Sequence, residues 1–325
     1  MKEFFDALYG MKAVERRDLL EKDYHLHRIL VEMNQDPWVS ERIVFKGGTC
    51  LIKAYLGYFR FSEDLDFTWA NQEDWSGKTP SAVRKACSKH ITEFGEHLEE
   101  ICGRLDLKFK SSKEEKTAIE IGGGGRLVRF YPRFTSQQEG LTIRLKVEIN
   151  FLEKILYPTK QLPLKTYLTE LLKKDAEVLG FRYPQDYKAY AQKVKLNCYN
   201  PKEIYAEKCR AALTRQAFKL RDYLDILALE DKYGYSIPEY AGEIAEKTEY
   251  MLRLYKKYRE NIRLPTTPTG NQFKTEENKL LLKPIPHKIP IDEEIARINK
   301  QLADIPQLTK YLDALTYSLK EEIKE

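Results

Sequence analysis

Apolar and polar residues follow two different spacings in the first half of the chain. Apolar residues three and four positions apart predict helices, and strict alternation predicts strands. Helical spacing covers residues 1–35, the segment TCLIKAYLGY up to about Gly57, and residues 80–103. The strand patterns are RIVFKGG, FSEDLDFTW, IGGGGRLVRFYPRF and GLTIRLKVEIN. The four consecutive glycines at 122–125 predict a flexible hairpin loop, because no helix start with a P-loop lysine follows them.

From about residue 160 the strand patterns fade, and residues 201–234 are strongly helical, with Pro201 suited to a first turn. We therefore expect an α/β fold, in which a small mixed β-sheet with flanking helices is followed by a mainly helical C-terminal domain. The expected divisions are a core domain over 1–160, a helical domain over 161–262 that closes a cleft, a proline-rich linker or wrapping segment over 263–290, and a helical segment over 291–325.

The composition of the 325-residue chain agrees with two domains and excludes some classes of protein. Its apolar content of 42% is enough to build cores, and charged residues make up 32%. We find no run of about 18 apolar residues and no apolar signal-peptide core, so we expect no membrane span and a cytoplasmic location. The five cysteines include no CxxC pair, which argues against a disulfide framework or a zinc site.

Two acids interrupt the apolar strand segment FSEDLDFTW. Because side chains alternate between the two faces of a strand, Ser62, Asp64 and Asp66 share one face and leave the other to apolar residues. Two carboxylates about 7 Å apart along one strand repel each other unless a cation lies between them. Mg²⁺ takes such oxygen ligands and usually keeps waters and substrate phosphates as well. Two solvated acids on an edge strand are the alternative.

A third acid strengthens the interpretation as a metal site. In TIRLKVEIN, alternation puts Glu148 on the polar face together with Arg144 and Lys146. If this strand lies beside the first, Glu148 joins the two aspartates. Three acids on neighbouring strands form a two-metal phosphoryl-transfer site, with ions about 4 Å apart.

The turn Gly47-Gly48-Thr49 fits the same chemistry. Glycines let a backbone approach phosphate oxygens closely, and the helix that starts here offers free N–H groups to an anion. Thr49 either donates its hydroxyl to a ligand or caps the helix. An ordinary strand–turn–helix junction is the alternative.

These segments together resemble the nucleotidyltransferase fold of DNA polymerase β relatives, in which a Gly-Gly or Gly-Ser turn precedes a DxD motif. FKGGTCL and RFSEDLDF most closely resemble the AbiEii/AbiGii-type nucleotidyltransferase toxins. That family also carries a helical element similar to AEKCRAALTR (206–215), followed by one similar to KLRDYLDI (219–226). The resemblance covers about residues 40–230.

The resemblance implies roles for individual residues. Metal binding, to Mg²⁺ or Mn²⁺, falls to Asp64, Asp66 and Glu148, where Glu in place of Asp at the third position would weaken one metal site. The implied catalytic residues are Asp64, Asp66, Lys208 and Asp222. Nucleotide binding is implied for Lys46, Gly47, Gly48, Thr49, Lys208 and Arg215. Supporting roles fall to Arg60, Ser62 and Asp225, and Arg60 either contacts substrate or pairs with an acid.

Helical spacing agrees with part of this assignment. In one continuous helix Lys208, Arg215 and Asp222 would drift by only about 40° and share a face. A cation beside a triphosphate stabilises the charge that develops on the leaving pyrophosphate. A solvated basic face is the alternative.

The resemblance implies metal-dependent transfer of a nucleoside monophosphate from an NTP to an acceptor hydroxyl, with the 3′ end of tRNA as the expected acceptor. It also implies the toxin of an AbiEii-type toxin–antitoxin or phage-defence pair, with a separate antitoxin protein as partner. The basic stretch 186–221, interleaved with tyrosines, suits a phosphate backbone, although a solvated helical surface explains it equally well. The alternatives are nucleotidylation of a protein or small molecule, and a non-catalytic nucleotide- or RNA-binding protein.

Overall fold

The computed structural model describes residues 1–12, 17–215, 217–261, 281–282, 290–306 and 308. The chain forms two compact units. The first contains Met1–Glu153 and Pro158–Asn200, and the second contains Lys154–Tyr157 and the residues from Pro201 onward. No helix among the described residues is long and apolar enough to cross a membrane.

A mixed seven-stranded sheet forms the centre of the first unit. Its strands in chain order are β1 (Ile43–Lys46), β2 (Asp64–Trp69), β3 (Ile119–Gly122), β4 (Leu127–Phe130), β7 (Lys146–Asn150), β8 (Lys160–Pro163) and β9 (Lys195–Cys198). Across the sheet the order is β3-β4-β7-β2-β1-β9-β8. The pairs β2–β7 and β1–β9 are parallel, and the other neighbours are antiparallel. A separate two-stranded sheet joins β5 (Arg133–Thr135) to β6 (Thr142–Arg144).

Helices flank this sheet, as the sequence predicts. They are α1 (Lys2–Lys12), α2 (Arg17–Gln35), α3 (Pro37–Ser40), α4 (Gly47–Cys50), α5 (Pro80–Arg104), α6 (Lys173–Arg182) and α7 (Pro184–Tyr190). The long helix α5 starts at Thr79, whose hydroxyl accepts a hydrogen bond from the Ala82 amide. Its Phe94 lies 5.2 Å, centroid to centroid, from Phe130 of β4, so α5 covers the apolar face of the sheet.

The helix predicted after the glycine turn is continuous but changes its winding. Four α-helical residues of α4 lead into a π-helix, Leu51–Leu56, which ends at Gly57 with a φ of 78°. The π-helix carries Lys53, which is fully buried and lies 2.8 Å from Asp23 of α2. The hydroxyls of Tyr58 and Tyr190 also donate to Asp23, at 2.8 and 2.5 Å. This network fixes the end of the helix that begins at the glycine turn.

The second unit is helical in its described residues, in agreement with the predicted C-terminal domain. Its helices are α8 (Pro201–Thr214), α9 (Leu220–Tyr233), α10 (Ala241–Leu254), α11 (Lys256–Asn261) and a further helix over Ile291–Ala303. Lys247 of α10 is buried against Glu203 of α8, and its ammonium also donates to the Lys154 carbonyl at 2.7 Å. Glu203 accepts from the amides of Leu156 and Tyr157 as well, so one buried ion pair fastens the short 154–157 segment to this unit.

The structure corrects two expectations. Strands do not fade after residue 160, because the short, mostly exposed strand β8 pairs with β9 and both extend the sheet. TIRLKVEIN is not one strand, since β6 ends at Arg144 and β7 starts at Lys146 in a different sheet. The four glycines do form a hairpin turn between β3 and β4, as predicted. The proline-rich segment 263–290 and residues beyond 308 lie almost wholly outside the described residues, so their predicted organisation stays a prediction.

Replacing Lys247 with alanine is expected to lower the free energy of unfolding by about 3–5 kcal/mol, because Glu203 would then remain buried without its counter-ion. Chemical denaturation followed by circular dichroism measures this loss. The matched control is Arg253→Ala on the same helix, whose ion pair with Glu249 is exposed and should contribute less than about 1 kcal/mol. Equal effects of the two substitutions would contradict the buried-pair account.

Candidate active site

Asp64 and Asp66 lie on the polar face of β2, at the start of the strand. Leu65 and Phe67 point to the other face and are fully buried in the core. The two aspartates are half-buried, so their carboxylates are accessible from one side of the sheet. The local sequence explains this, because alternation places every second side chain of DLDFTW on the same face.

The neighbouring strand β7 brings Glu148 to the same face. The parallel register of β2 and β7 places Asp64 opposite Lys146 and Asp66 opposite Glu148. The apolar partners Val147 and Ile149 are fully buried on the other face. The sequence argument for Glu148 required its strand to lie beside the strand of Asp64 and Asp66, and in the structure it does.

Two cationic side chains lie among these carboxylates. The Lys146 ammonium is 2.8 Å from Asp64 Oδ2 and 3.8 Å from Glu148 Oε2. Burial disfavours its charge, but the carboxylates of Asp66, Glu148 and Asp64 outweigh burial and raise the pKa of Lys146 above its ordinary value. Arg129 of β4 lies opposite Glu148, and its Nε donates to Glu148 Oε2 at 2.6 Å.

The glycine turn packs directly against Asp66. Gly47 has a φ of +75°, and a Cβ added to it would lie 2.5 Å from Asp66 Oδ2. A Cβ on Gly48 would lie 2.5 Å from Nη2 of Arg60. The turn therefore needs glycine twice, once for its backbone conformation and once for the close approach of side chains from the segment before β2.

The side chains that flank the turn have partners within the protein. The Thr49 hydroxyl donates to the Asp64 carbonyl, which ties the turn to β2 rather than capping the helix. The Lys46 ammonium pairs with Glu153 at 2.9 Å, and both residues are buried. The predicted nucleotide contacts of Thr49 and Lys46 stay predictions.

Arg60 and Ser62 lie against the glycine turn at Gly48. Arg60 is 1% exposed, and its Nη1 donates to the Phe61 carbonyl at 2.8 Å. Ser62 Oγ would lie 3.4 Å from a Cβ on Gly48. Arg60 therefore shapes the backbone before β2 and closes one side of the glycine turn.

Lys208, Arg215, Asp222 and Asp225 form an ion-pair cluster in the second unit. The Lys208 ammonium lies 2.8 Å from Asp222 Oδ1 and 2.7 Å from Asp225 Oδ2. Arg215 Nη1 lies 3.0 Å from Asp222 Oδ2, a charge contact without good hydrogen-bond alignment. Burial would raise the pKa of Asp222, but Lys208 and Arg215 outweigh it and lower that pKa to about 2. Since an ammonium has three donors, the two carboxylates leave one for a further ligand.

The same-face argument for Lys208, Arg215 and Asp222 holds only for an unbroken helix, and the helix is interrupted between Thr214 and Leu220. α8 ends at Thr214 and α9 starts at Leu220, so residues 208 and 222 lie on different helices. The cluster nevertheless forms, because the connection returns Asp222 and Asp225 to the side of α8 that carries Lys208. Asp222 and Asp225 are both buried there, because a spacing of three residues puts them on the same face of α9.

The donor set of β2 fits a hard divalent cation. Carboxylate oxygens are the ligands that Mg²⁺ and Mn²⁺ prefer, and Asp64 and Asp66 present them from one strand face. Among the described residues no group of three or more His, Cys, Asp or Glu side chains lies close enough together to hold an ion. The two aspartates would therefore hold a metal together with ligands from outside the protein, such as phosphate oxygens.

Sequence reasoning gave no role to Lys146 and Arg129. A lysine two residues before Glu148 was a visible signal, because it had to share the polar face of the strand. Arg129 carried no such signal, since its position opposite Glu148 depends on a strand pairing that the sequence does not specify.

Three of the four tyrosines in the basic stretch 186–221 are not at the surface, and the fourth, Tyr187, is half-buried. Tyr190, Tyr199 and Tyr205 are fully buried, so they belong to the cores rather than to a stacking surface. Lys188, Lys193 and Lys195 of the first unit are exposed. What remains of the predicted feature is a group of solvated lysines.

Residues 28–314 match the sequence profile of a known family, the nucleotidyl transferase AbiEii toxins of type IV toxin–antitoxin systems. The chain belongs to the AbiEii family. It is thus a nucleotidyltransferase, and the family implies a nucleotide substrate and an antitoxin partner. No curated protein sequence matches the chain.

Two crystal structures from Helicobacter pylori align with this chain over most of its length. JHP933 aligns with a TM-score of 0.42 and 16% identity, covering 95% of this chain and 98% of its own. A second structure, described as that of a nucleotidyltransferase from H. pylori, aligns with a TM-score of 0.40 and 16% identity, covering 92% of this chain and 97% of its own.

Gly47→Ala is expected to displace the Asp66 carboxylate and to lower nucleotidyl transfer at least about tenfold, because the new methyl group takes the place of Oδ2. A transfer assay and a thermal melt measure the two consequences. Gly77→Ala is the matched control, since Gly77 has a similar φ of +67° but nothing within 4 Å of an added Cβ. Both substitutions place alanine at a positive φ, which should cost about 1 kcal/mol of stability each, and Gly47→Ala adds the cost of its collision with Asp66. Equal activity in the two variants would contradict the proposed contact.

Lys208→Met is expected to raise the pKa of Asp222 from about 2 toward its ordinary value of 3.8. Because the folded-state pKa is depressed, Asp222 stabilises the fold fully above about pH 4 and loses that contribution as the pH falls toward 2. In Lys208→Met the folded-state pKa lies nearer to the unfolded value, so the contribution of Asp222 is smaller and its loss at low pH is smaller. Carboxyl ¹³C NMR titration measures the pKa directly, with Lys232→Met, an exposed lysine at the far end of α9, as control. An unchanged Asp222 pKa would rule out the ion pair.

Proposed function

We propose that the chain transfers a nucleoside monophosphate from an NTP to an acceptor hydroxyl, with a divalent metal held at Asp64 and Asp66. The observation that supports this most strongly is the pairing of the two aspartates with the Gly47–Gly48 turn. The turn comes so close to the Asp66 carboxylate that no side chain fits between them. A backbone without side chains beside two carboxylates suits a triphosphate and its metal.

The reaction breaks the bond between the α-phosphorus and the oxygen that bridges to the β-phosphate. The acceptor oxygen forms a new bond to the α-phosphorus, its proton is released, and pyrophosphate leaves. A bound Mg²⁺ or Mn²⁺ would supply positive charge to the phosphate oxygens and lower the pKa of the acceptor hydroxyl. Asp64 and Asp66 hold that ion, and the backbone of Gly47 and Gly48 approaches the phosphates.

Lys208 and Asp222 contribute to the same activity in this proposal. Lys208 carries a positive charge and keeps one donor for a phosphate oxygen. Asp222 and Asp225 are buried around it and hold the ammonium in one position. Arg215, which is 38% exposed, adds a second cation at the accessible edge of the cluster. This assignment rests on the family resemblance and on the geometry within the second unit alone.

For the acceptor we propose an RNA hydroxyl, with the 3′ end of tRNA as the first candidate. The exposed lysines Lys188, Lys193 and Lys195 support this, because clustered cations bind a phosphate backbone. The corresponding biological role is that of a toxin in a toxin–antitoxin or phage-defence pair. A protein or small-molecule acceptor is the competing proposal.

Asp64→Asn and Asp66→Asn are each expected to lower transfer of label from α-labelled NTPs by at least about a hundredfold, because each removes a metal-binding charge. The matched control is Glu63→Gln. Glu63 is adjacent in sequence, but its carboxylate pairs with Lys22 at 2.6 Å, away from the acidic face of β2. Full activity in both aspartate variants would refute the proposed site.

The acceptor is tested by offering total tRNA, total protein and small-molecule hydroxyls in parallel with each of the four NTPs. Label on tRNA that falls steeply between about 50 and 200 mM salt is the expected result, because bound counterions are released when lysines contact phosphates. Substituting Lys188, Lys193 and Lys195 together should flatten this salt dependence. Label that appears on protein at all salt concentrations would favour the competing acceptor.

A further inference from the structure

Lys146 is a basic side chain at the centre of an acidic face. Its ammonium reaches both strands of the site, at 2.8 Å from Asp64 on β2 and 3.8 Å from Glu148 on its own strand. The strand register forces this arrangement, because residue 146 lies directly opposite residue 64. Lys146 is therefore built into the site rather than placed there by a flexible loop.

Glu148 already has two cationic neighbours. Arg129 Nε donates to Glu148 Oε2 at 2.6 Å, and the Lys146 ammonium lies 3.8 Å from the same oxygen. Arg129 also donates from its Nη1 to Glu120 of β3, at 2.7 Å. Arg129 is therefore held between two glutamates, and leaving Glu148 would cost it a charge-assisted hydrogen bond.

These contacts separate the three acids by role. Asp64 and Asp66 share a strand and flank the glycine turn, whereas Glu148 faces the arginine on β4. A divalent ion at Glu148 Oε2 would have to compete with both Arg129 and Lys146. An ion at Asp64 and Asp66 would compete with Lys146, whereas Lys46, which lies opposite Asp66 in the register, is paired with Glu153.

We propose that Lys146 serves in place of a second metal ion, so that the site takes one divalent ion through Asp64 and Asp66, while Glu148 positions Lys146 and binds no metal. This rests on the proposed function of the two aspartates. It replaces the two-metal arrangement expected from the three acids in the sequence. In the catalytic cycle Lys146 provides a fixed positive charge beside the phosphates, and Glu148 is a positioning residue.

The test is Mn²⁺ binding to the nucleotide-free full chain, measured as free Mn²⁺ by electron paramagnetic resonance. The wild type is expected to bind about one ion per chain with a single affinity, and Asp66→Asn to lose it. Glu148→Gln should leave the affinity within about threefold of wild type, since Glu148 is not a ligand. Lys146→Met should tighten binding about tenfold, because it removes a competing cation about 3 Å from Asp64. Lys146→Arg, which keeps the charge, should resemble wild type.

Three results would overturn the proposal. They are loss of Mn²⁺ in Glu148→Gln as large as in Asp66→Asn, two ions per wild-type chain, and an unchanged or weakened affinity in Lys146→Met. Circular dichroism confirms that each variant is folded, and a misfolded Lys146→Met leaves the Glu148→Gln comparison decisive. If the wild type transfers label and any of these three results is found, the inference about Lys146 is refuted but the proposed function is not. Absent transfer together with Mn²⁺ binding that is unaffected by Asp66→Asn would refute the proposed function itself.

Discussion

The parallel pairing of β2 with β7 is the constraint on which the rest of the site depends. It sets Asp66 against Glu148 and Asp64 against Lys146, and it buries Leu65 against Val147. A slip of one residue would turn the charged side chains into the core and the apolar ones into solvent. Because this would cost much free energy, the register is strongly specified. The hydrophobic core therefore determines which charges meet on the other side of the sheet.

Charges alternate across the polar face of this sheet. One register row runs Glu120, Arg129, Glu148, Asp66 and Lys46, from β3 to β1. Only one neighbouring pair in this row, Glu148 and Asp66, has like charges. Lys146 lies in the next row beside that pair, where it offsets the repulsion. The carboxylates at this position would attract a metal ion, and the neighbouring lysine would attract a triphosphate.

The alternation in DLDFTW, the glycine turn and the helix that follows it were all predictable from the sequence, because each depends on residues close together in the chain. The resemblance of KLRDYLDI to a family element also implied roles for Asp222 and Asp225. The sequence did not determine what depends on pairing between distant segments. The extension of the sheet by β9, the contact of Arg129 with Glu148 and the break between α8 and α9 all follow from tertiary contacts.

The helix break shows why such predictions need a structure. Spacing alone placed Lys208 and Asp222 on one helical face, and the two residues do meet, but through a turn and across two helices. The spacing predicted a shared helix face, and the structure instead brings the two side chains into direct contact. For Glu148 the predicted neighbours are present, and two cations that the sequence argument did not consider lie at its Oε2.

The most direct test of the account is a crystal structure with Mn²⁺ and a non-hydrolysable NTP, analysed by anomalous scattering at the manganese edge. We predict one manganese peak within about 2.2 Å of both the Asp64 and Asp66 carboxylates, with the triphosphate against Gly47 and Gly48. Arg129 and Lys146 should keep their contacts with Glu148. A manganese peak bound to Glu148, or a nucleotide bound away from β2, would contradict the account.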